Sequence, residues 1–291
     1  MKPAPFKYHH ATNFNEAASL ISELENARVL AGGQSLMPMM NMRYVMVDHL
    51  IDLNDVTELA GIDASGSRAT IKAMTRQCDI LSSDKLKNKA PIFKEALIQV
   101  GHIQTRNRGT IGGSLSHLDP AAELPGLAAL HDAQITISKK NSTRAVSMSE
   151  FALGYMTPCT EPDEIISEIS FDFWPEGHGY DFREFAQRHG DFAIVGVGTL
   201  ISLAANGSIE RAACVLVGID YQPIRLPDVE ASLIGEMPSD GLFTAAGKLV
   251  RERGMLEDAM IPENYRKQLS DVLLRRSLKS AAERANGGQY D

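Results

Sequence analysis

Arg106-Asn107-Arg108-Gly109-Thr110-Ile111-Gly112-Gly113-Ser114 sets two cations ahead of a glycine pair, with His117, Asp119 and Glu123 close behind. Consecutive glycines allow a backbone path with positive φ, so successive N–H groups can face one anion with no side chain in the way. Hydroxyls at Thr110 and Ser114 can add donors to a phosphate oxygen. A carboxylate at Glu123 could accept hydrogen bonds from ribose hydroxyls, as acidic residues do in dinucleotide sites. Its plain alternative is a solvated charge at a loop or helix end.

A second stretch of the same kind, Ala31-Gly32-Gly33-Gln34-Ser35, follows the short apolar strand Val29-Leu30-Ala31. Taken singly, either glycine pair reads equally as an ordinary tight turn. A pyrophosphate carries two negative groups, so two such loops converging on one makes physical sense.

The elements around these loops follow from periodicity. Asn13 and Glu16 can cap a helix whose Ala17, Leu20, Ile21 and Leu24 recur at helical spacing. With the strand at 50–53 and the Met-rich run 36–42 they make a small βαβ-like unit, the Met cluster being packing rather than a ligand set. Residues 69–73 alternate like a strand, Thr75 can cap a helix to about Ser82, and 91–100 reads as another helix. The segment 106–114 looks loop-like, and 133–138 with 145–148 reads as a hairpin. A composition change after Trp174-Pro175-Glu176-Gly177 marks a boundary. Beyond it, apolar runs 193–203 and 209–219 flank Ala205-Asn206-Gly207-Ser208, a strong hairpin signal. Residues 239–283 are helical by pattern, and Asn286-Gly287-Gly288-Gln289 looks like a frayed end.

The 291 residues suffice for two cores, and 44% hydrophobic with 23% charged residues is a globular balance. A formal charge of −8 argues against nucleic acid, whose binding rests on Lys and Arg. The N-terminus shows no signal-peptide run, and no stretch approaches the roughly 20 apolar residues of a membrane span. Cys78, Cys159 and Cys214 are too scattered for an iron–sulfur cluster, which needs about four thiolates, and read as three buried core thiols of a cytoplasmic protein. No P-loop, G-x-S-x-G elbow or HExxH pattern is present. Gly196-Val197-Gly198-Thr199-Leu200-Ile201 lacks the third glycine of a Rossmann fingerprint and falls within a hairpin strand. No catalytic or metal-binding side chain emerges; the chain looks built to hold something.

The two glycine loops, with Asp119-Pro120-Ala121-Ala122-Glu123-Leu124-Pro125, Gly190-Asp191-Phe192-Ala193-Ile194-Val195 and Gly218-Ile219-Asp220-Tyr221-Gln222-Pro223-Ile224-Arg225, resemble the FAD-binding medium subunit of the xanthine dehydrogenase and carbon monoxide dehydrogenase (molybdenum hydroxylase) family. The resemblance runs in order along nearly the whole chain. It implies an α+β fold: an FAD-binding domain of the vanillyl-alcohol-oxidase (PCMH) type in two subdomains, residues 1–57 and 58–175. A C-terminal α+β domain with a three-stranded antiparallel sheet and helices, residues 176–286, and a tail, 287–291, would follow.

By the same resemblance, Val29, Leu30, Ala31, Gly32, Gly33, Gln34, Ser35 and Leu36, with Thr110, Ile111, Gly112, Gly113 and Ser114, bind the FAD pyrophosphate. Glu123 lies near the adenosine part and Gly101 is a further contact. Phe192 stands where carbon monoxide dehydrogenases carry a tyrosine near the isoalloxazine ring, and Arg188 is a flavin-side cation. The implied role is an electron relay. A large molybdopterin subunit hydroxylates the substrate, a small subunit with two [2Fe–2S] clusters passes electrons on, and the FAD delivers them to an external acceptor. A dimer of heterotrimers is the implied assembly. Gly113-Ser114 with His117 resembles hydroxylases of N-heteroaromatic compounds. Two other readings stay open: a self-contained FAD-dependent oxidase or reductase of the same fold, and a non-catalytic nucleotide-binding module.

Overall fold

The computed structural model describes residues 1–288. The first strands, β1 (Lys7–His10), β2 (Ala27–Leu30) and β3 (His49–Asp52), are parallel and ordered β1-β3-β2. Helix α1 (Phe14–Glu23) joins β1 to β2, and α2 (Leu36–Asn41) joins β2 to β3. The expected cap holds at α1: the Glu16 amide donates to Asn13 Oδ1 at 3.0 Å, and the Glu16 carboxylate accepts from the Thr12 amide at 2.9 Å. Ala17, Ala18 and Ile21 are then buried on its inner face. Met40 seals the base of α2 with Val47 and Leu50, so the Met cluster is largely packing, although Met42 is exposed.

The second sheet is antiparallel in the order β4-β5-β10-β6-β7. Its early strands β4 (Ile62–Asp63) and β5 (Arg68–Lys72) lead into six short helices. These are α3 (Gln77–Leu81), α4 (Asp84–Lys87), α5 (Ile92–Gln99), α6 (Ile103–Arg108), α7 (Ile111–His117) and α8 (Glu123–Leu130). The hairpin β6 (Gln134–Lys139) and β7 (Ser142–Ser147) follows, then α9 (Met148–Phe151) and a small pair, β8 (Ala152–Gly154) and β9 (Thr157–Pro158). Strand β10 (Ile165–Asp172) returns to the centre of the sheet, a position its Ile-Ile-Ser-Glu-Ile-Ser-Phe pattern suits.

The third sheet contains β11 (Gly179–Ala186), β12 (Ala193–Leu203), β13 (Ile209–Val217) and β14 (Ile224–Arg225), covered by α10 (Pro227–Leu233), α11 (Asp240–Arg251) and α12 (Glu263–Ala285). The Asn-Gly hairpin forms between β12 and β13, with Leu203 opposite Ile209. Gly196 and Gly198 lie inside β12, where bareness admits close packing: a Cβ on Gly198 would come 3.1 Å from Leu130 of α8. Through such contacts α8 presses onto β12 and β13. Phe182, Leu200, Ala213 and Val215 thereby join the core of the second sheet.

Several local expectations are corrected. The segment 106–114 is helical, the end of α6 and the start of α7, because Thr110 caps α7 by accepting from the Gly113 amide at 3.0 Å. Thr75 does not cap α3; its hydroxyl is held by both backbone groups of Gly61, and Arg76 takes the cap position. The C-terminal sheet has a fourth, two-residue strand, because the Arg225 guanidinium is gripped by Glu230 at 2.9 Å and the Leu226 amide donates to Cys214 O at 3.0 Å. The helical stretch 239–283 is broken at 252–262, where Gly254 and Pro262 interrupt it. Residues 286–288 close α12 rather than fray: the Gly288 amide donates to Glu283 O at 3.0 Å and Gly287 takes φ +80°. The rest of the anticipated tail, 289–291, lies outside the described residues. Of the three thiols only Cys214 is buried; Cys78 and Cys159 are partly exposed. Among the described residues no helix is long and apolar enough to cross a membrane.

Candidate functional site

The two glycine loops meet. A Cβ on Gly113 would lie 3.5 Å from that of Ala31, and one on Gly32 would collide with the Arg108 carbonyl and come 2.8 Å from Gly109 Cα. The first and second sheets, which share a cluster of Ile51, Leu53, Met74 and Ile165, bring their loops together, and glycine is what allows the approach.

Their contributions differ. In the first loop, Gly33 has φ +73°, and the amides of Gly32, Gly33, Gln34 and Ser35 have no acceptor within the chain among the described residues. Four successive free N–H groups around a left-handed residue form a concave donor surface suited to a phosphate. Val29, Leu30, Ala31 and Leu36 pack against the small cores beneath it. In the second loop the amides are committed. Ile111 donates to Thr75 O at 3.2 Å, Gly112 to Ala73 O at 2.8 Å, Gly113 to Thr110 Oγ1 at 3.0 Å and Ser114 to Thr110 O at 3.0 Å. The expected run of anion-facing amides is therefore absent there, because the glycines serve close packing: a Cβ on Gly112 would come 2.5 Å from Ala73 Cβ. What this loop retains for a ligand is the half-buried Ser114 hydroxyl and the proton of the Thr110 hydroxyl, which is itself buried.

Gly101 and the segment 188–192 are also neighbours. Gly190 has φ +88°, and a Cβ there would sit 3.0 Å from the His102 ring and 3.2 Å from Gly101 O. Arg188 and Phe192 flank this contact, both exposed, the Phe192 ring at 59%. Arg266, buried on α12, anchors the next turn by donating to Ile194 O and Gly218 O, each at 2.6 Å.

Glu123 opens α8 and is buried rather than solvated. Burial first, then the Glu184 charge, pushes its carboxyl up to about 8. Glu184 on β11 is pushed up to about 7 by burial, and its Oε2 has no hydrogen-bond partner among the described residues. Asp119 is likewise raised and His117 lowered, both chiefly by burial. Sequence reasoning missed Glu184, Arg76 and Asn54. Arg76 donates to Arg108 O and to Asn54 Oδ1, and Asn54 Nδ2 donates to Ala31 O at 3.2 Å. No periodic or motif signal marks these three, because their partners are distant in sequence.

Paired loops offering free amides on one side and hydroxyls on the other make a site suited to the phosphates of a dinucleotide. A model described as the FAD binding domain in molybdopterin dehydrogenase matches residues 4–174, and one described as the CO dehydrogenase flavoprotein C-terminal domain matches 180–281. The 6-hydroxypseudooxynicotine dehydrogenase complex subunit alpha of Paenarthrobacter nicotinovorans is 34% identical, the match covering 98% of this chain and 97% of the relative. The carbon monoxide dehydrogenase medium chain of Afipia carboxidovorans is 30% identical over 98% and 99%. Among solved structures, carbon monoxide dehydrogenase from Hydrogenophaga pseudoflava superposes with TM-score 0.93 at 31% identity, over 98% of this chain and 99% of that one. Quinoline 2-oxidoreductase from Pseudomonas putida 86 gives 0.93 at 28%, with the same coverage. The chain belongs to this family: it is an FAD-binding oxidoreductase subunit of the molybdenum hydroxylase type.

Proposed function

We propose that the four free amides at residues 32–35 and the hydroxyls of Thr110 and Ser114 hold the FAD pyrophosphate from opposite sides. The observation carrying this reading is the convergence of Gly32 on Arg108, which leaves the amides of one loop beside the hydroxyls of the other. Glu123, as a neutral acid, can both donate to and accept from a ribose hydroxyl. Gly101, Arg188 and Phe192 form the flavin end, the Phe192 face offering a stacking surface and Arg188 a cation. When bound, FAD supplies exchange between one-electron and two-electron carriers, and the chain's share is orientation and electrostatics.

The chain would take electrons from a small [2Fe–2S] subunit and pass them to an external acceptor, while a large molybdopterin subunit acts on the substrate. The names of two relatives, a 6-hydroxypseudooxynicotine dehydrogenase and a quinoline 2-oxidoreductase, support an N-heteroaromatic substrate class for the complex. Relatives named as subunits or medium chains favour this reading over a self-contained oxidase or a bare nucleotide module. A division at residues 57 and 175, a dimer of heterotrimers and a cytoplasmic location belong to the same proposal. The test is an absorbance spectrum of the purified chain with the released cofactor identified. Stoichiometric, non-covalent FAD without iron–sulfur absorption is expected; a flavin-free chain that cannot be reconstituted overturns the assignment.

A further inference from the structure

The circuit that joins the two loops has a consequence for how the site recognises its ligand. Asn54 stands just beyond β3, with its amide nitrogen bonded to Ala31 O on one side and its amide oxygen to Arg76 Nη2 at 2.5 Å on the other. Arg76 Nη1 continues to Arg108 O, the carbonyl on which Gly32 rests. Two side chains thus close a ring, Ala31–Asn54–Arg76–Arg108–Gly32, between the loops of the two sheets. The ring is itself anchored: the Asn54 backbone amide donates to Asp52 Oδ1 at 2.8 Å, its side-chain amide donates to the same oxygen, and Tyr8 donates to Asp52 Oδ2. Asp52 is buried at the end of β3, so the anchor sits on a strand rather than a loop.

The guanidinium chemistry adds a second feature. Arg76 is half-buried, and the Arg108 charge acts on it. Burial and the Arg108 charge both lower its basicity, while Asp79 and Asp52 oppose the effect. The Arg76 guanidinium, bonded to the Arg108 carbonyl on which Gly32 rests, sets a cation next to the loop of free amides, where an anionic group is favoured.

We propose that Asn54 and Arg76 are positioning residues that hold the two loops at diphosphate spacing, so that affinity for the diphosphate part of the cofactor depends on them and affinity for the flavin ring does not. The inference rests on the FAD reading of the loops. Arg fits the task because its planar fork reaches two acceptors at once; a lysine carries the charge but cannot hold both carbonyl and amide in fixed geometry.

The experiment measures Kd of the full-length apo-chain for FAD, ADP and riboflavin in the unsubstituted protein and in Arg76→Met, Arg76→Lys and Asn54→Asp. ADP carries the diphosphate without the ring; riboflavin carries the ring without phosphate. Arg76→Met is expected to weaken FAD and ADP by the same factor, on the order of tenfold, the size of one lost hydrogen bond to a charged group. Riboflavin should be unchanged and Arg76→Lys intermediate. Asn54→Asp keeps the acceptor for Arg76 but loses the donor to Ala31 O and to Asp52 Oδ1, whose carboxylate it then faces, and should weaken FAD and ADP alike while leaving riboflavin unchanged; it decides the matter if Arg76→Met does not fold. Equal loss for riboflavin, or no loss for ADP, overturns the positioning role. Failure of the unsubstituted chain to bind FAD or ADP instead overturns the FAD reading itself.

Discussion

Gly32 lies flat on the carbonyl of Arg108, so close that a Cβ would also come 2.8 Å from Gly109 Cα. Neither neighbour is a flexible side-chain tip, so Gly32→Ala must push the loops apart. Overpacking of this kind costs about 1–3 kcal/mol, and here it also widens the proposed phosphate site. The expected result is a lower Tm together with loss of FAD retention on gel filtration. Gly61→Ala, where nothing lies within 4 Å, is the control for general damage, although its φ of +134° carries its own strain.

Thr110 caps α7 and, on the proposed reading, also donates to the FAD phosphate. Its hydroxyl oxygen accepts from the Gly113 amide and caps α7, leaving its proton for a phosphate oxygen. Thr110→Val removes the cap at about 1 kcal/mol and the donor with it. Thr110→Ser should keep both stability and FAD affinity. Equal FAD binding in all three proteins would show that the second loop contributes packing alone.

Much of the architecture is legible in the sequence because it rests on local rules. The Asn13–Glu16 cap, the Asn206-Gly207 hairpin and the alternation at 69–73 each need only near neighbours. What is not legible depends on contacts far apart in the chain. Residues 106–114 look like a loop because their glycines and cations favour one, yet the Thr110 cap and the seat against Ala73 and Thr75 make them helical. Composition likewise suggests two equivalent amide nests, whereas tertiary contacts occupy the second. The role of Asn54 follows only from seeing Ala31 and Arg76 on either side of it. Glu123 is recognisable as a carboxyl near the site, but its raised pKa follows only from seeing its burial first and Glu184 on β11 second.

Glu123 and Glu184 give the apo-chain an alkaline liability. Folding raises Glu123 from 4.5 to about 8 and Glu184 to about 7. The folded form therefore binds more protons than the unfolded one between those limits, and stability falls as pH rises. The stabilising share is full below about pH 4.5 and lost as pH climbs through the folded values. Glu123→Gln should flatten this decline by up to about 1.4 kcal/mol per pH unit between pH 5 and 7, and Glu184→Gln should flatten it in the same direction. Denaturant midpoints across pH 5–8 check this; an unaltered slope in both variants would mean that the carboxyls are solvated in the folded chain.

Gly190 couples the segment of Arg188 and Phe192, the proposed flavin end, to Gly101. With φ +88° and the His102 ring 3.0 Å from its Cβ position, Gly190→Ala strains the backbone and displaces the segment carrying Arg188 and Phe192. FAD affinity should fall modestly while ADP affinity holds, since the diphosphate loops are untouched. A shift of the bound-flavin absorption bands should accompany the change. Parallel loss of ADP binding would place residues 188–192 at the phosphate end.

His131 sets the acid limit. Its ring is fully enclosed between Phe93 and Phe171, with centroids 5.6 and 4.6 Å away, and neither ring nitrogen has a hydrogen-bond partner. Burial, reinforced by His178, Arg225 and Arg211, pushes it down to about 3. The unfolded chain protonates this ring near 6.5 while the folded chain excludes the proton. Stability is therefore full above about pH 6.5 and declines as pH falls toward 3, by up to about 1.4 kcal/mol per unit. His131→Leu keeps an apolar filler against the two phenylalanines and removes both the titration and the unpaired nitrogens. It should lower the acid-unfolding midpoint, with little change in FAD binding at pH 7. An acid midpoint identical to that of the unsubstituted chain would show that water or a shifted ring partners His131 in solution, and that another group governs acid unfolding.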